Sequence, residues 1–185
     1  MADPLARRLV QPDQRSCGAA VLVVARLLER PSYAGFVASS DDFRSEVLAM
    51  HRRVTGPVDV RGRLQLPWPR VIGTPPWAVA RQLSGTTGVE RSVHVILFDR
   101  GAAFDRITRA ITQSHPVPVY VGNRWLPRHV VLAVEATPAA LRFYEPAGGR
   151  VVDVTREDFE GGGLGLGGWD HPWFMILPRG AHSRA

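Results

Sequence analysis

The chain has 185 residues, of which 45% are hydrophobic and 22% are charged. This length fits one domain, and the composition supplies an apolar core and argues against disorder. No apolar run reaches the roughly 18 residues that a membrane span needs. The N-terminal residues lack the apolar segment of a secretory signal, so we expect a cytoplasmic protein without a membrane partner unless a dedicated export system carries it.

The formal net charge is +6, and all 23 basic residues are arginine. The arginines are scattered singly or in pairs without a basic stripe, so we expect a solvated surface rather than a nucleic-acid interface. The absence of lysine beside many Ala, Gly and Pro residues is typical of a high-GC bacterial genome. A single cysteine excludes an internal disulfide framework.

Helical patterns dominate the first part of the chain. The apolar run 21–28 has no Pro or Gly and predicts a buried helix with Ser16 as its N-cap residue. Thr74, followed by two prolines, predicts the N-cap of a later helix that ends at 85–88. The other predicted elements of this part are a helix over 43–53 with its cap in 39–42, a strand within 89–98 and a helix over 102–112.

The second part of the chain predicts strands separated by turns. They cover 116–121, 128–135, 141–144, 150–154 and 173–177, with a short helix at 155–159. The glycine-rich run 161–168 predicts a flexible loop; it neither follows a strand nor opens a helix, which excludes a nucleotide-binding fingerprint. The predicted fold is α+β in a single domain, 1–185, with a mainly helical lobe over about 8–115 and an antiparallel β lobe over about 116–178.

Cys17 is the candidate nucleophile. In the first turn of its helix, unpaired backbone N–H groups and the helix dipole would stabilise a thiolate. Gln11, six residues earlier, carries a neutral amide that could donate a hydrogen bond to a developing oxyanion. The alternative is that Cys17 is a small buried hydrophobic residue.

His129 and Glu145 are candidates for the rest of a catalytic site. His129 begins one predicted strand, and Glu145 ends the next, sixteen residues later. In a hairpin, the start of the first strand lies beside the end of the second, so the two side chains should meet. An imidazole that takes the thiol proton and a carboxylate that orients the ring complete an acyl-transfer site. Taken singly, they would be a strand-end histidine and an exposed turn carboxylate.

These residues together resemble the papain-like cysteine peptidases, and their pattern is similar to that of the leader-cleaving peptidases of bacteriocin exporters and their stand-alone relatives. The shared pattern is Gln11, five residues, Cys17-Gly18, then His129-Val-Val-Leu, then Glu145-Pro-Ala-Gly. The resemblance implies that Cys17 is the nucleophile, His129 the general base and acid, and Glu145 the orienting acid. It also implies an oxyanion hole formed by Gln11 and the backbone N–H of Cys17. Glu145 stands where the family usually has Asp.

The predicted function is cysteine-dependent hydrolysis of amide or peptide bonds in a peptide or protein substrate, without a cofactor. One alternative is a papain-like deamidase or transglutaminase-type effector toxin, and another is a catalytically silent module that binds a peptide or partner protein. Metal chemistry ranks last because one cysteine and six dispersed histidines give no ligand spacing. Trp68, Trp125, Trp169 and the 161–168 loop are candidates for groove walls. The sequence makes no prediction of oligomeric state.

Overall fold

The computed structural model of the protein describes residues 4–180. The helices and strands of this part are, in chain order, α1 (Cys17–Glu29), α2 (Ser40–Thr55), α3 (Pro76–Thr87), β1 (Arg91–Val95), α4 (Arg100–Thr112), β2 (Val117–Gly122), β3 (Pro127–Ala136), β4 (Ala140–Glu145), β5 (Arg150–Thr155), α5 (Arg156–Gly161) and β6 (His171–Pro178). Short 3-10 turns occur at Pro4–Ala6, Pro31–Phe36 and Arg70–Ile72. Within residues 4–180, no helix has the length and apolar character of a membrane span.

The strands of the described chain form one antiparallel sheet of six strands in the order β1-β6-β2-β3-β4-β5. The α+β prediction, with helices before a mostly C-terminal antiparallel sheet, is confirmed. Strand β1 comes from the helix-rich first part of the chain and reaches the sheet edge by pairing with the last strand, β6.

Helices cover both faces of the sheet. On β3, Val130 and Leu132 belong to the core that also contains α1, α2 and α3, whereas Val131 and Ala133 belong to the core beneath α4 and α5. Successive residues of a strand point to opposite faces, so a strand that is buried on both sides reads as a continuous apolar run. This accounts for the unbroken Val-Val-Leu-Ala sequence that follows His129.

Helix α1 lies in the middle of the first core. Every residue from Cys17 to Ala25 is buried, and the helix packs between α2, α3 and strand β3. Gly18 permits one of these contacts: a Cβ added there would lie 2.7 Å from Thr74 Cβ. The segment that leads into α3 can therefore approach the first turn of α1, directly beside Cys17.

Of the caps predicted for α1 and α3, the first is correct in position but lacks its side-chain hydrogen bond, and the second is wrong. Ser16 is the N-cap residue of α1, but its side chain makes no capping hydrogen bond. Instead, Asp13 Oδ1 accepts hydrogen bonds from the backbone N–H groups of Arg15 and Ser16, at 2.8 and 2.9 Å. The N-cap of α3 is Pro75 rather than Thr74, because the chain enters the helix one residue later than predicted.

The cap predicted for α2 is confirmed. Ser39 and Asp42 form a capping box in which each side chain accepts a hydrogen bond from the backbone N–H of the other residue. This satisfies two of the N–H groups that a helix start leaves without partners.

Candidate active site

His129 and Glu145 meet where the β3–β4 hairpin opens toward α1. Leu132 pairs with Tyr144, so the start of β3 lies beside the end of β4. His129 Nε2 is 2.8 Å from Glu145 Oε1, and both residues are buried. The proximity that the hairpin predicted is confirmed by this distance.

The turn after β4 holds the Glu145 carboxylate in place. Its Oε1 accepts a hydrogen bond from the backbone N–H of Ala147 at 2.7 Å, and its Oε2 accepts one from Gly148 at 2.8 Å. Burial alone would raise the pKa of Glu145, but the hydrogen bonds from His129, Ala147 and Gly148 outweigh burial and keep this pKa below its ordinary value. Glu145 is therefore a carboxylate at neutral pH, with a fixed orientation.

His129 joins this carboxylate to Cys17. Burial alone would lower the pKa of His129, but hydrogen bonds to Cys17 and Glu145, and attraction to both groups, raise it to about 9. Since Nε2 faces Glu145, Nδ1 is the ring nitrogen that remains for Cys17. The site favours a protonated ring that is held from both sides.

Cys17 is the first residue of α1 and lies at the edge of an open cleft with a volume of about 520 Å³. The cysteine is 5% exposed, so the cleft reaches only a small part of its surface. Its backbone N–H, at the first helical position, has no acceptor within the helix. The thiol and this donor therefore lie together at the edge of the cleft.

The cleft walls are mainly apolar, with two arginines among the lining residues. The lining side chains away from Cys17 and His129 include Trp68, Val71, Ile72, Leu126, Pro127, Phe174, Arg15 and Arg128. Trp68, one of the candidate groove residues, is part of this wall, whereas Trp125 and Trp169 are not. Trp169 packs against the core beneath α4.

Gln11 is tied to the same region through its backbone. Its N–H donates to the carbonyl oxygen of Pro146 at 2.9 Å, next to the turn that holds Glu145. Its side-chain Nε2 donates to the carbonyl oxygen of Asp13 at 2.8 Å, while its Oε1 is buried without a partner. Gln14, rather than Gln11, is among the residues that line the cleft. The structure thus brings Cys17, His129 and Glu145 together, whereas the Gln11 amide is bonded to Asp13 and does not line the cleft.

Gly167 is a residue of the site that the sequence did not indicate. A Cβ at this position would lie 3.0 Å from His129 Cδ2, 3.1 Å from His129 Nε2 and 3.3 Å from Glu145 Oε1. Its φ of 62° also lies in the left-handed region, which favours glycine. The 161–168 run, predicted as a flexible loop and a candidate groove wall, thus contacts the His129–Glu145 pair at Gly167, whereas none of its residues lines the cleft. The signal available in the sequence was the density of glycines itself.

No metal centre accompanies this site. Within residues 4–180, no group of three or more His, Cys, Asp or Glu side chains is arranged to hold a metal ion.

Among the solved structures to which this chain is similar are two peptidase domains. The peptidase domain of Streptococcus mutans ComA shares 15% identity over 92% of this chain and 98% of its own length, with a TM-score of 0.43. The peptidase domain of Streptococcus ComA, a bi-functional ABC transporter involved in a quorum sensing pathway, shares 17% identity over 92% and 97%, with a TM-score of 0.46. Neither a protein-family model nor a curated protein sequence matches the chain.

Proposed function

We propose that this protein is a cysteine-dependent hydrolase of amide or peptide bonds, with a peptide or protein as its substrate. Cys17 is the nucleophile, His129 the general base and acid, and Glu145 the group that orients His129. The observation that carries the proposal is a buried histidine whose Nε2 lies 2.8 Å from Glu145 Oε1 and which lines the same open cleft as Cys17.

Glu145 determines how the imidazole works. By accepting a hydrogen bond from Nε2–H, the carboxylate fixes the ring orientation and leaves Nδ1 to exchange a proton with the thiol. With its pKa raised to about 9, the ring is protonated at neutral pH, and in the proposed reaction it takes this proton from the Cys17 thiol. The two backbone N–H groups on Glu145 keep this carboxylate ionised throughout.

The reaction then proceeds through an acyl-enzyme. The Cys17 thiolate attacks the amide carbonyl carbon, a C–S bond forms, and the carbonyl oxygen becomes an oxyanion. His129 gives its proton to the leaving amine as the C–N bond breaks, and a thioester remains on Cys17. His129 next removes a proton from water, whose attack on the thioester releases the acid and restores the thiol. The backbone N–H of Cys17 and the Gln11 amide are the proposed oxyanion donors.

The two alternatives make different demands on this site. A deamidase or transglutaminase-type reaction passes through the same thioester and differs in the acyl donor and in the nucleophile that resolves it. A silent binding module needs only the cleft and does not require a reactive thiol. The reactivity of Cys17 therefore distinguishes the two enzymatic hypotheses from the hypothesis of a catalytically silent binding module.

The proposal is tested by the rate at which iodoacetamide alkylates Cys17, followed by intact-mass spectrometry between about pH 6 and pH 8. In the wild-type protein, the rate should stay nearly constant over this range, because the imidazolium keeps the thiolate present. In His129→Ala, the rate should rise about tenfold per pH unit, as for an ordinary thiol, and should be at least tenfold below wild type at about pH 6. His115→Ala, which removes a histidine outside the site, is the matched control and should behave like wild type.

The stability of the protein should depend on pH through the protonation of His129. The pKa of His129 is raised from 6.5 to about 9 in the folded state, so its stabilising effect is complete below about pH 6.5 and is lost as the pH rises through 9. The melting temperature of wild type relative to His129→Ala should therefore decline across that interval. An alkylation rate in wild type that matches His129→Ala at every pH would overturn the proposal and leave the silent module.

A further inference from the structure

A second cavity, of about 380 Å³, opens between α3, β1 and the 59–64 segment, and it shares no lining residue with the Cys17 cleft. Among the described residues that line it, five are arginines and two are carboxylates, Asp59 and Glu90. The arginines come from four separate parts of the chain: Arg61 and Arg63, Arg81, Arg91, and Arg179. Folding thus gathers a surplus of three positive charges in one concave place.

The inner part of this cavity contains donors without acceptors. Arg91 is 3% exposed; its Nη2 donates to Glu29 Oε1 at 2.7 Å and its Nη1 to the carbonyl oxygen of Pro116 at 3.1 Å. The remaining nitrogen, Nε, is buried without a partner, and so is Nε1 of Trp77. A buried donor without an acceptor costs free energy, so two of them in one cavity mark a place where an acceptor would stabilise the protein.

The outer part of the cavity surrounds a single exposed carboxylate. Arg61 donates to Glu90 Oε1 at 2.6 Å, and this hydrogen bond, with the charges of Arg61, Arg179 and Arg63 nearby, keeps the pKa of Glu90 below its ordinary value. Neither the Arg63 nor the Arg179 guanidinium has a hydrogen bond or an ion pair within residues 4–180. Two exposed guanidinium groups thus remain available beside a carboxylate that already has a partner.

We propose that this arginine cavity binds a small molecule that carries two or more anionic groups, phosphates or carboxylates. Guanidinium groups bind both kinds of oxyanion through paired, charge-assisted hydrogen bonds. One anionic group binds at the rim, where the exposed guanidinium groups of Arg63 and Arg179 both act on Glu90, and a second extends toward Arg91 and Trp77 in the inner part of the cavity. The volume lies within the usual range of small-ligand sites and is too small for a folded partner.

The test uses two defined probes, inorganic pyrophosphate and citrate, in isothermal titration calorimetry of the full chain at about 150 mM chloride, where weak surface attraction is screened. We expect saturable binding of one equivalent of at least one probe. Arg63→Gln and Arg179→Gln should each weaken it roughly tenfold or more, because each removes a charge-assisted donor. Both arginines are exposed, so these variants should fold normally.

Two further variants separate a built site from general attraction to an arginine-rich protein. Glu90→Gln removes the carboxylate that competes for the guanidinium groups and should tighten binding, the opposite direction to Arg63→Gln. Arg44→Gln removes an exposed arginine of α2, outside the cavity, and should leave binding unchanged. Binding of pyrophosphate alone would indicate a phosphate ligand, and binding of citrate alone would indicate a carboxylate ligand. Binding of both would indicate a site that recognises negative charge without distinguishing phosphate from carboxylate.

Either of two results would overturn the proposal: no saturable binding of either probe, or equal weakening by Arg44→Gln and Arg63→Gln. Calorimetry needs no turnover, so this outcome is independent of whether Cys17 is catalytic.

Discussion

The two halves of the candidate active site are built in different ways. His129 and Glu145 come from one hairpin, and each hydrogen-bonding oxygen of the carboxylate has a partner. Gln11 and Cys17 come from the N-terminal segment and the start of α1, where a turn at Asp13 directs the chain. In that half, the Gln11 Oε1 is buried without a partner, and one amide N–H is already donated to the Asp13 carbonyl.

The difference shows what regular pairing contributes to a site. The antiparallel ladder between β3 and β4 places His129 and Glu145 beside each other, and the N–H groups of Ala147 and Gly148 in the next turn hold the carboxylate. The Gln11 side chain depends on an irregular turn, in which its Nε2 donates to the Asp13 carbonyl while its backbone N–H donates to the Pro146 carbonyl. We therefore expect the hairpin half to be complete in the free protein, and the second N–H of the Gln11 amide to be donated only when an oxyanion is bound.

The largest effect should come from Glu145→Gln, which keeps the size of the side chain but removes its charge. The amide cannot hold the imidazolium, so Cys17 acylation by p-nitrophenyl acetate should fall by about 10³–10⁴-fold. Release of nitrophenolate in a stopped-flow experiment measures this rate. Glu135→Gln, on the exposed part of β3, removes the same charge away from the site and should leave the rate unchanged. Equal rates for Glu145→Gln and wild type would show that the hairpin half is not catalytic.

The same contrast explains how much of the structure could be predicted from the sequence. The hairpin contact was predictable because strand register follows from alternation and turn length. The contact of Gly167 with His129 and Glu145 was not, although its loop was a candidate groove wall, since the 161–168 loop reaches His129 across the fold and no local pattern encodes that distance. The arginine cavity was missed for the same reason: Arg63, Arg91 and Arg179 look scattered until β1 pairs with β6.

Gln11→Ala should have a smaller and more selective effect. Loss of one oxyanion donor typically lowers acyl transfer by about 10²-fold. Alkylation by iodoacetamide forms no oxyanion, so its rate should be unchanged in the same variant, and the ratio of the two rates isolates the donor. Gln14→Ala is the control. Gln14 lines the cleft, but it stands three residues before Cys17, whereas the family pattern has the glutamine six residues before the cysteine. If Gln14→Ala were the damaging change, the oxyanion donor would be Gln14, and the Gln11 assignment would be wrong.

Gly167→Ala should have the smallest effect on rate and gives the sharpest test of how rigid the hairpin half is. The added methyl group meets His129 at 3.0 Å and Glu145 at 3.3 Å, so it should displace the ring and lower the Cys17 alkylation rate by roughly tenfold. Gly165→Ala is the matched control: its φ of 59° is close to the 62° of Gly167, but nothing lies within 4 Å of its Cβ position. Both variants should lose about 1–2 kcal/mol of unfolding free energy from the left-handed backbone, measured by urea denaturation. Only Gly167→Ala should also lose reactivity, because only there does the methyl group touch the pair that activates Cys17. Equal reactivity of the two variants would mean that the His129–Glu145 pair yields to the loop, and that the ladder alone does not fix it.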